Sequence, residues 1–185
     1  MEKILCGLEM KLLNIDNLEG TCVLINPLKL VIIDNNRVKI QSSTKQIYIY
    51  GVHLDDVPSL SHFMNNILYK SSEKIPLSYS LEKILKLCSK RRLPKIKDVL
   101  KNIENKDRSI IAGDFNEPSH IDLKNIKIPV SIELEKNGFV DTYRFMNKGS
   151  VGYTWPSGKF YKNEPSQRID FIYTKKIKNN IVNYI

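Results

Sequence analysis

The sequence is short of the residues that build special-purpose chains. Only three cysteines, Cys6, Cys22 and Cys88, occur in 185 residues. An odd number without zinc-ligand spacing argues against a disulfide framework and for a reducing, intracellular compartment, cytoplasmic or nuclear. Eight glycines and eight prolines are too few for a fibrous or low-complexity chain. No apolar run reaches the length of a membrane span. Residues 1–13 set Glu2 and Glu9 around a short apolar stretch with no cleavage-like segment after it, which speaks against a signal peptide. Acidic residues are also in deficit, 20 against 29 basic ones, for a net charge of +9. Residues 82–108 hold ten Lys/Arg and four Asp/Glu, so most of the excess is local. A positive field draws in polyanions such as nucleic acid or a phosphate-bearing substrate, but it does not choose a chemistry. An A/T-rich coding bias would produce the same Lys-, Asn- and Ile-rich composition.

What is present suits one globular domain over residues 1–185, with 42% hydrophobic residues to fill a core. Residues 22–25, 28–33 and 37–40 read as short antiparallel strands, with Asp34-Asn35-Asn36 as a hairpin turn. Residues 46–51 are apolar on both faces, so they belong centrally in a sheet and deliver His53 at their end. Helical spacing of Leu81, Ile84, Leu85 and Cys88, and again of Leu93, Ile96, Leu100 and Ile103 after Pro94, predicts two amphipathic helices. A further helix is expected around residues 61–69. Residues 108–112, 138–144 and 168–173 read as strands and 147–167 as a long loop.

Three segments carry residues suited to chemistry. In Ala112-Gly-Asp-Phe-Asn116, strand alternation puts Asp114 and Asn116 on one side and Phe115 on the other. A carboxylate that accepts a proton from water, beside an amide that donates to a phosphoryl oxygen, suits phosphate-ester hydrolysis. Spacing alone favours an Asx turn at a strand end, and the companion segments decide between the two. In Arg168-Ile-Asp-Phe-Ile-Tyr173, alternation sets Arg168 and Asp170 opposite the apolar side chains, as a surface ion pair or a site. In Gly51-Val-His-Leu54 a single histidine follows a Tyr/Ile-rich strand, either as a hydrogen-bonded structural residue or as a catalytic one.

Taken in order with Gly138-Phe-Val-Asp-Thr-Tyr-Arg144 and Gly152-Tyr-Thr-Trp155, these segments resemble the endonuclease/exonuclease/phosphatase superfamily of deoxyribonuclease-like phosphoesterases. The resemblance implies an α/β fold of two packed, mainly antiparallel sheets flanked by helices, a four-layer sandwich incomplete at both ends. It implies a divalent-metal-dependent nuclease or phosphatase using Mg2+ or Mn2+, with nucleic acid or another phosphate ester as substrate. By the same analogy Asp114 activates water and holds the metal, Asn116 stabilises the pentavalent phosphate and His53 meets the scissile phosphate. Asp170 orients an acid/base histidine, Arg168 positions that Asp or binds phosphate, and His120, Tyr153 and Trp155 line the pocket.

The family's first-strand Asn and Glu and its closing Ser-Asp-His motif have no counterpart here, and the other histidines, His62 and His120, occupy no matching position. Two further readings therefore accompany the first. One is an inactive remnant of the family that binds phosphate groups or a partner. The other is a basic nucleic-acid-binding module using residues 82–108. A missing edge strand would also leave sheet edges open to pairing.

Overall fold

The computed structural model describes residues 11–13, 23–25, 29–34, 37–41, 46–69, 75–156 and 164–177. Two short strands, β1 (Lys11–Leu13) and β2 (Val23–Ile25), pair antiparallel. The main sheet contains β3 (Lys29–Asp34), β4 (Arg37–Gln41), β5 (Gln46–His53), β6 (Ser109–Asp114), β7 (Val140–Asp141) and β8 (Asp170–Lys175), ordered β3-β4-β5-β6-β8-β7. Among the described residues four helices accompany it: α1 (Leu60–Met64), α2 (Leu81–Lys101), α3 (Pro129–Lys136) and α4 (Thr142–Met146). The fold is mixed α/β, and all pairs in the main sheet are antiparallel except β5 with β6. Among the described residues there is one six-stranded sheet and one two-stranded sheet.

The β3–β4 pair closes at Asp34↔Arg37, as the Asp-Asn-Asn turn signal requires; Asn35 and Asn36 lie outside the described residues. The antiparallel partner β4 and the parallel partner β6 flank β5, which makes it an interior strand of the sheet, as expected. Tyr50, Val52 and Leu54 along and just past β5, Ile111 and Phe115 along and just past β6, and Phe171 and Tyr173 on β8 alternate onto one face. There they pack with Ile96 of α2 and Val130 and Leu134 of α3 as the principal core. Leu60, Ile84, Cys88 and Ile128 form a second cluster between α1 and α2.

Several sequence expectations are corrected. The two helices expected on either side of Pro94 are one, α2, of 21 residues, with the proline inside it. Pro94 removes one intrahelical N–H, but the buried stripe Ile84, Cys88, Arg92, Ile96 runs through the gap at intervals of four. Arg92 disguised that stripe because a charged residue is rarely buried without a partner. The strand expected over 138–144 shrinks to β7, because Asp141 caps α4 by accepting a hydrogen bond from the Arg144 amide at 3.0 Å. The helix expected over 61–69 stops at Met64. The loop 147–167 pairs with itself through a bridge between Trp155 and Gln167.

Candidate active site

Parallel pairing of β5 with β6 places His53 opposite Asp114, and antiparallel pairing of β6 with β8 places Asp114 opposite Asp170. Three chemistry-bearing residues thus stand in a row across three adjacent strand tips, neighbouring strands being about 5 Å apart. Alternation turns them to the face away from the helix-covered core. The row depends on Gly113. Its φ is +141°, and a Cβ there would collide with the Val52 carbonyl oxygen of β5, so only glycine lets the two strands lie this close.

The turn after β6 fixes the carboxylate. The backbone N–H of Asn116 donates to Asp114 Oδ1 at 2.7 Å, an Asx turn, and Asn116 itself takes a positive φ of 50°. Its side-chain amide donates to the Leu54 carbonyl at 2.8 Å, tying this turn to the end of β5. The other oxygen, Asp114 Oδ2, lies 3.8 Å from His53 Nε2. The turn and the site readings of this motif are therefore compatible, since the turn aims the carboxylate. Burial pushes the Asp114 carboxyl above its usual range; the Asn116 amide bond and His53 oppose that shift, and the negative charge of Asp170 reinforces it.

His53, Asp114 and Asn116 open onto a hollow of about 710 Å³ shared with Asp55, Asp56, Ser59, His62, Tyr69, Lys95, Trp155 and Glu164. Lys95 Nζ donates to the His53 carbonyl at 2.8 Å, which brings a cation from α2 to the rim. The walls are anchored by Arg92, whose side chain is fully buried. Its Nε and Nη2 donate to the carbonyls of Asp55 and Pro58, each at 2.7 Å, and its Nη1 meets buried Glu117 at 3.1 Å.

The remaining residues singled out from sequence fall elsewhere. Arg168 does not sit beside Asp170. It is buried, with bonds to Asp122 at 2.8 Å and Asp141 at 2.5 Å, and its guanidinium lies over the Phe171 ring on the core side. Arg144 joins the cluster at 2.6 Å from Asp122, giving two arginines for two aspartates. His120 bridges Ser131 at 2.8 Å and Glu135 at 3.0 Å, fastening the turn after β6 to α3. Tyr153 lines a neighbouring cavity of about 460 Å³ together with Arg168, Lys124 and Lys148. The sequence set His62 aside for want of a matching motif and gave no motif sign of Ser59, Asp56, Tyr69, Lys95 or Glu164. Only the position of residues 55–59 directly after a site strand pointed toward any of them.

Among the described residues no group of three or more His, Cys, Asp or Glu side chains is gathered closely enough to hold a metal ion. The two carboxylates of the row, Asp114 and Asp170, are hard oxygen donors of the kind Mg2+ takes, but the described set does not fit a resident cation. Among the described residues no helix is long and apolar enough to cross a membrane.

Fold and site together define an α/β protein with an acidic, imidazole-bearing hollow at the tips of its central strands. No family model matches the chain. Among curated proteins it is similar to an uncharacterised protein of Caenorhabditis elegans, 30% identical over 149 residues, which cover 70% of this chain and 47% of that protein. The chain thus spans about half the length of the curated relative it matches. Among solved structures it is similar to an endonuclease/exonuclease/phosphatase family protein from Leptotrichia buccalis, at 20% identity and TM-score 0.40, over 76% of this chain and 40% of that one. It is also similar to TDP2 of D. rerio complexed with a single-strand DNA product, at 16% identity and TM-score 0.41, over 95% and 55%. Beta toxin from Staphylococcus aureus with bound magnesium ions matches at 19% identity and TM-score 0.42, over 77% and 43%.

Proposed function

We propose that the protein hydrolyses phosphate esters with activated water, as a nuclease or phosphatase. The observation that carries this reading is the row of His53, Asp114 and Asp170 at adjacent strand tips, with His53, Asp114 and the neighbouring Asn116 opening on one hollow. Asp114, held by its Asx turn and made more basic by burial, takes a proton from water as the water oxygen bonds to phosphorus. The P–O bond to the leaving group breaks on the opposite side. Charge growing on the phosphoryl oxygens meets the second amide hydrogen of Asn116, the imidazole of His53 and the ammonium of Lys95. Asp170 acts through its charge on Asp114, and Trp155 offers a wall for the organic group. Arg168 and His120 stand outside this hollow, and Tyr153 meets substrate only where it reaches the neighbouring cavity.

Mg2+ or Mn2+ bound at Asp114 would neutralise phosphate charge as a Lewis acid. Because the described donors do not form a metal site, no step above is routed through a cation. The substrate is nucleic acid or another phosphate ester, which the net charge of +9 attracts, met in the cytoplasm or nucleus. The half-buried or partly exposed apolar face of Ile47, Ile49, Ile110, Ala112 and Ile172 supports a second packed sheet, completing a sandwich within one domain over residues 1–185. The outer strands β3 and β7 are then the edges open to pairing.

The test is turnover of single- and double-stranded DNA, RNA and a chromogenic phosphodiester in Mg2+ or Mn2+. Asp114→Ala is expected to lower the rate on the order of 10² to 10⁴-fold. Absence of turnover above that variant on every substrate refutes the reading. One observation favours a second reading, a remnant that binds phosphate without cutting it: the lack of a three-donor metal cluster among the described residues. Calorimetry that detects phosphate binding without magnesium binding, in a protein that turns nothing over, selects the remnant.

A further inference from the structure

A histidine that the proposed chemistry leaves unused sits in the wall of the same hollow. His62 on α1 is 3% exposed, and both of its ring nitrogens are engaged. Nδ1 lies 2.7 Å from Ser59 Oγ and Nε2 lies 2.6 Å from Glu164 Oε2. The Tyr69 ring packs against the imidazole, with centroids 4.7 Å apart, and the Tyr69 hydroxyl donates to Asp56 Oδ2 at 2.9 Å. Ser59, His62, Glu164, Tyr69 and Asp56 all line the cavity that holds His53, Asp114 and Asn116.

Carboxylate, imidazole and hydroxyl in series can pass a proton, because each hydrogen bond already lies at transfer distance. We infer that Ser59, backed by His62 and Glu164, delivers the proton to the leaving oxygen of the phosphate ester. The inference rests on the phosphoesterase reading and completes it: Asp114 removes a proton from the attacking water, and this chain returns one to the departing alkoxide.

The step balances. As the water oxygen bonds to phosphorus, the P–OR bond breaks and its electron pair stays on the leaving oxygen. That oxygen takes the Ser59 hydroxyl proton while Ser59 Oγ takes the proton from Nδ1 of the imidazolium. His62 is left neutral with Nε2–H still bonded to Glu164. The water proton rests on Asp114, and exchange with solvent resets both groups. With its proton on, the imidazolium is paired with Glu164. The other titratable groups facing it are Tyr69 and, through Tyr69, Asp56. Ser59 is the catalytic residue here, touching the leaving group; His62 and Glu164 position and charge it. His53, with its side chain 54% exposed and 3.8 Å from Asp114, has no comparable support.

The test compares two leaving groups. Nitrophenolate departs without help, whereas the sugar alkoxide released from a dinucleotide needs a proton. The full chain is assayed in Mg2+ or Mn2+ on bis-p-nitrophenyl phosphate and on a dinucleotide. Ser59→Ala and His62→Gln are expected to lower kcat on the dinucleotide on the order of 10² to 10⁴-fold but on the nitrophenyl ester by less than about tenfold. Ser59→Thr, which keeps the hydroxyl, restores the dinucleotide rate. If His62→Gln fails to fold, the two Ser59 variants carry the comparison alone. Equal losses on both esters, or none on either, overturn the relay and leave the phosphoesterase reading standing. Wild-type turnover of the nitrophenyl ester alone does the same. Turnover of neither ester overturns the relay, and the phosphoesterase reading falls with it when single- and double-stranded DNA and RNA are not cut either.

Discussion

Arg92 is the residue whose removal tests the architecture around the hollow most directly. In the folded chain it is the cation beside Glu117, a carboxylate 2% exposed, and it also donates to the carbonyls of Asp55 and Pro58. Breaking a buried pair from one side costs about 3–5 kcal/mol, chiefly because the remaining charge has no partner. Arg92→Met should therefore lower stability by about 4 kcal/mol near pH 8. The loss should shrink in acid. Burial already pushes the Glu117 carboxyl above its usual range against the opposing pull of Arg92, and without Arg92 that rise grows. A carboxyl whose folded-state pKa is raised binds more protons folded than unfolded, so stability falls as pH rises through the window above the ordinary carboxylate range. Near pH 5 only the lost bonds to the two carbonyls should remain, about 2 kcal/mol.

Urea unfolding at the two pH values reads the difference. With a slope of about 2 kcal/mol per molar, the midpoint should drop by about 2 M at pH 8 and about 1 M at pH 5. Adding Glu117→Gln removes the stranded charge while keeping an acceptor for the Val130 N–H, which now donates to Glu117 at 3.4 Å. The double variant should recover about 2 kcal/mol at pH 8. A penalty under about 1 kcal/mol, a penalty independent of pH, or strict additivity in the double variant would refute the argument.

Three other outcomes follow from the same structure. Arg168→Gln strands Asp141 and half of Asp122, so it should cost about 3–5 kcal/mol in thermal or urea unfolding; a stable variant with only a raised KM would show Arg168 working on substrate instead. Gly113→Ala must push β5 and β6 apart and place alanine at a φ of +141°, so it should lose at least about 2 kcal/mol and disorder the His53–Asp114 register; an unchanged melting temperature would contradict this. Burial pushes the Cys88 thiol up to about 11, so in a Cys6→Ser, Cys22→Ser background it should resist alkylation at pH 7–9 and react on unfolding. Rapid labelling of the folded protein would count against that packing.

The strand framework and the placing of Asp114 and Asp170 on one sheet face were largely legible in the sequence, because both rest on local pattern. Short runs rich in Val, Ile and Tyr and the Asp-Asn-Asn turn located β2 to β5. The apolar run into Gly113 located β6, and strand alternation set Asp114 and Asp170 on the face opposite Phe115 and Phe171. The stop after Val140-Asp141 and the unbroken α2 were not legible, because a cap and a buried arginine overrode local propensity.

Charged and hydrogen-bonding side chains are where tertiary structure decided. Arg168, Arg92, His120 and His62 are each ordinary polar residues in sequence, and what each does depends on which partner the fold brings near. Arg168 went to Asp122 and Asp141 rather than to the side of Asp170, and His62 met Glu164 from 102 positions away in the chain. Alternation is a property of the backbone and travels with the sequence. Pairing of buried charges is a property of the closed fold, since each buried charge must be matched by whatever group the packing leaves beside it.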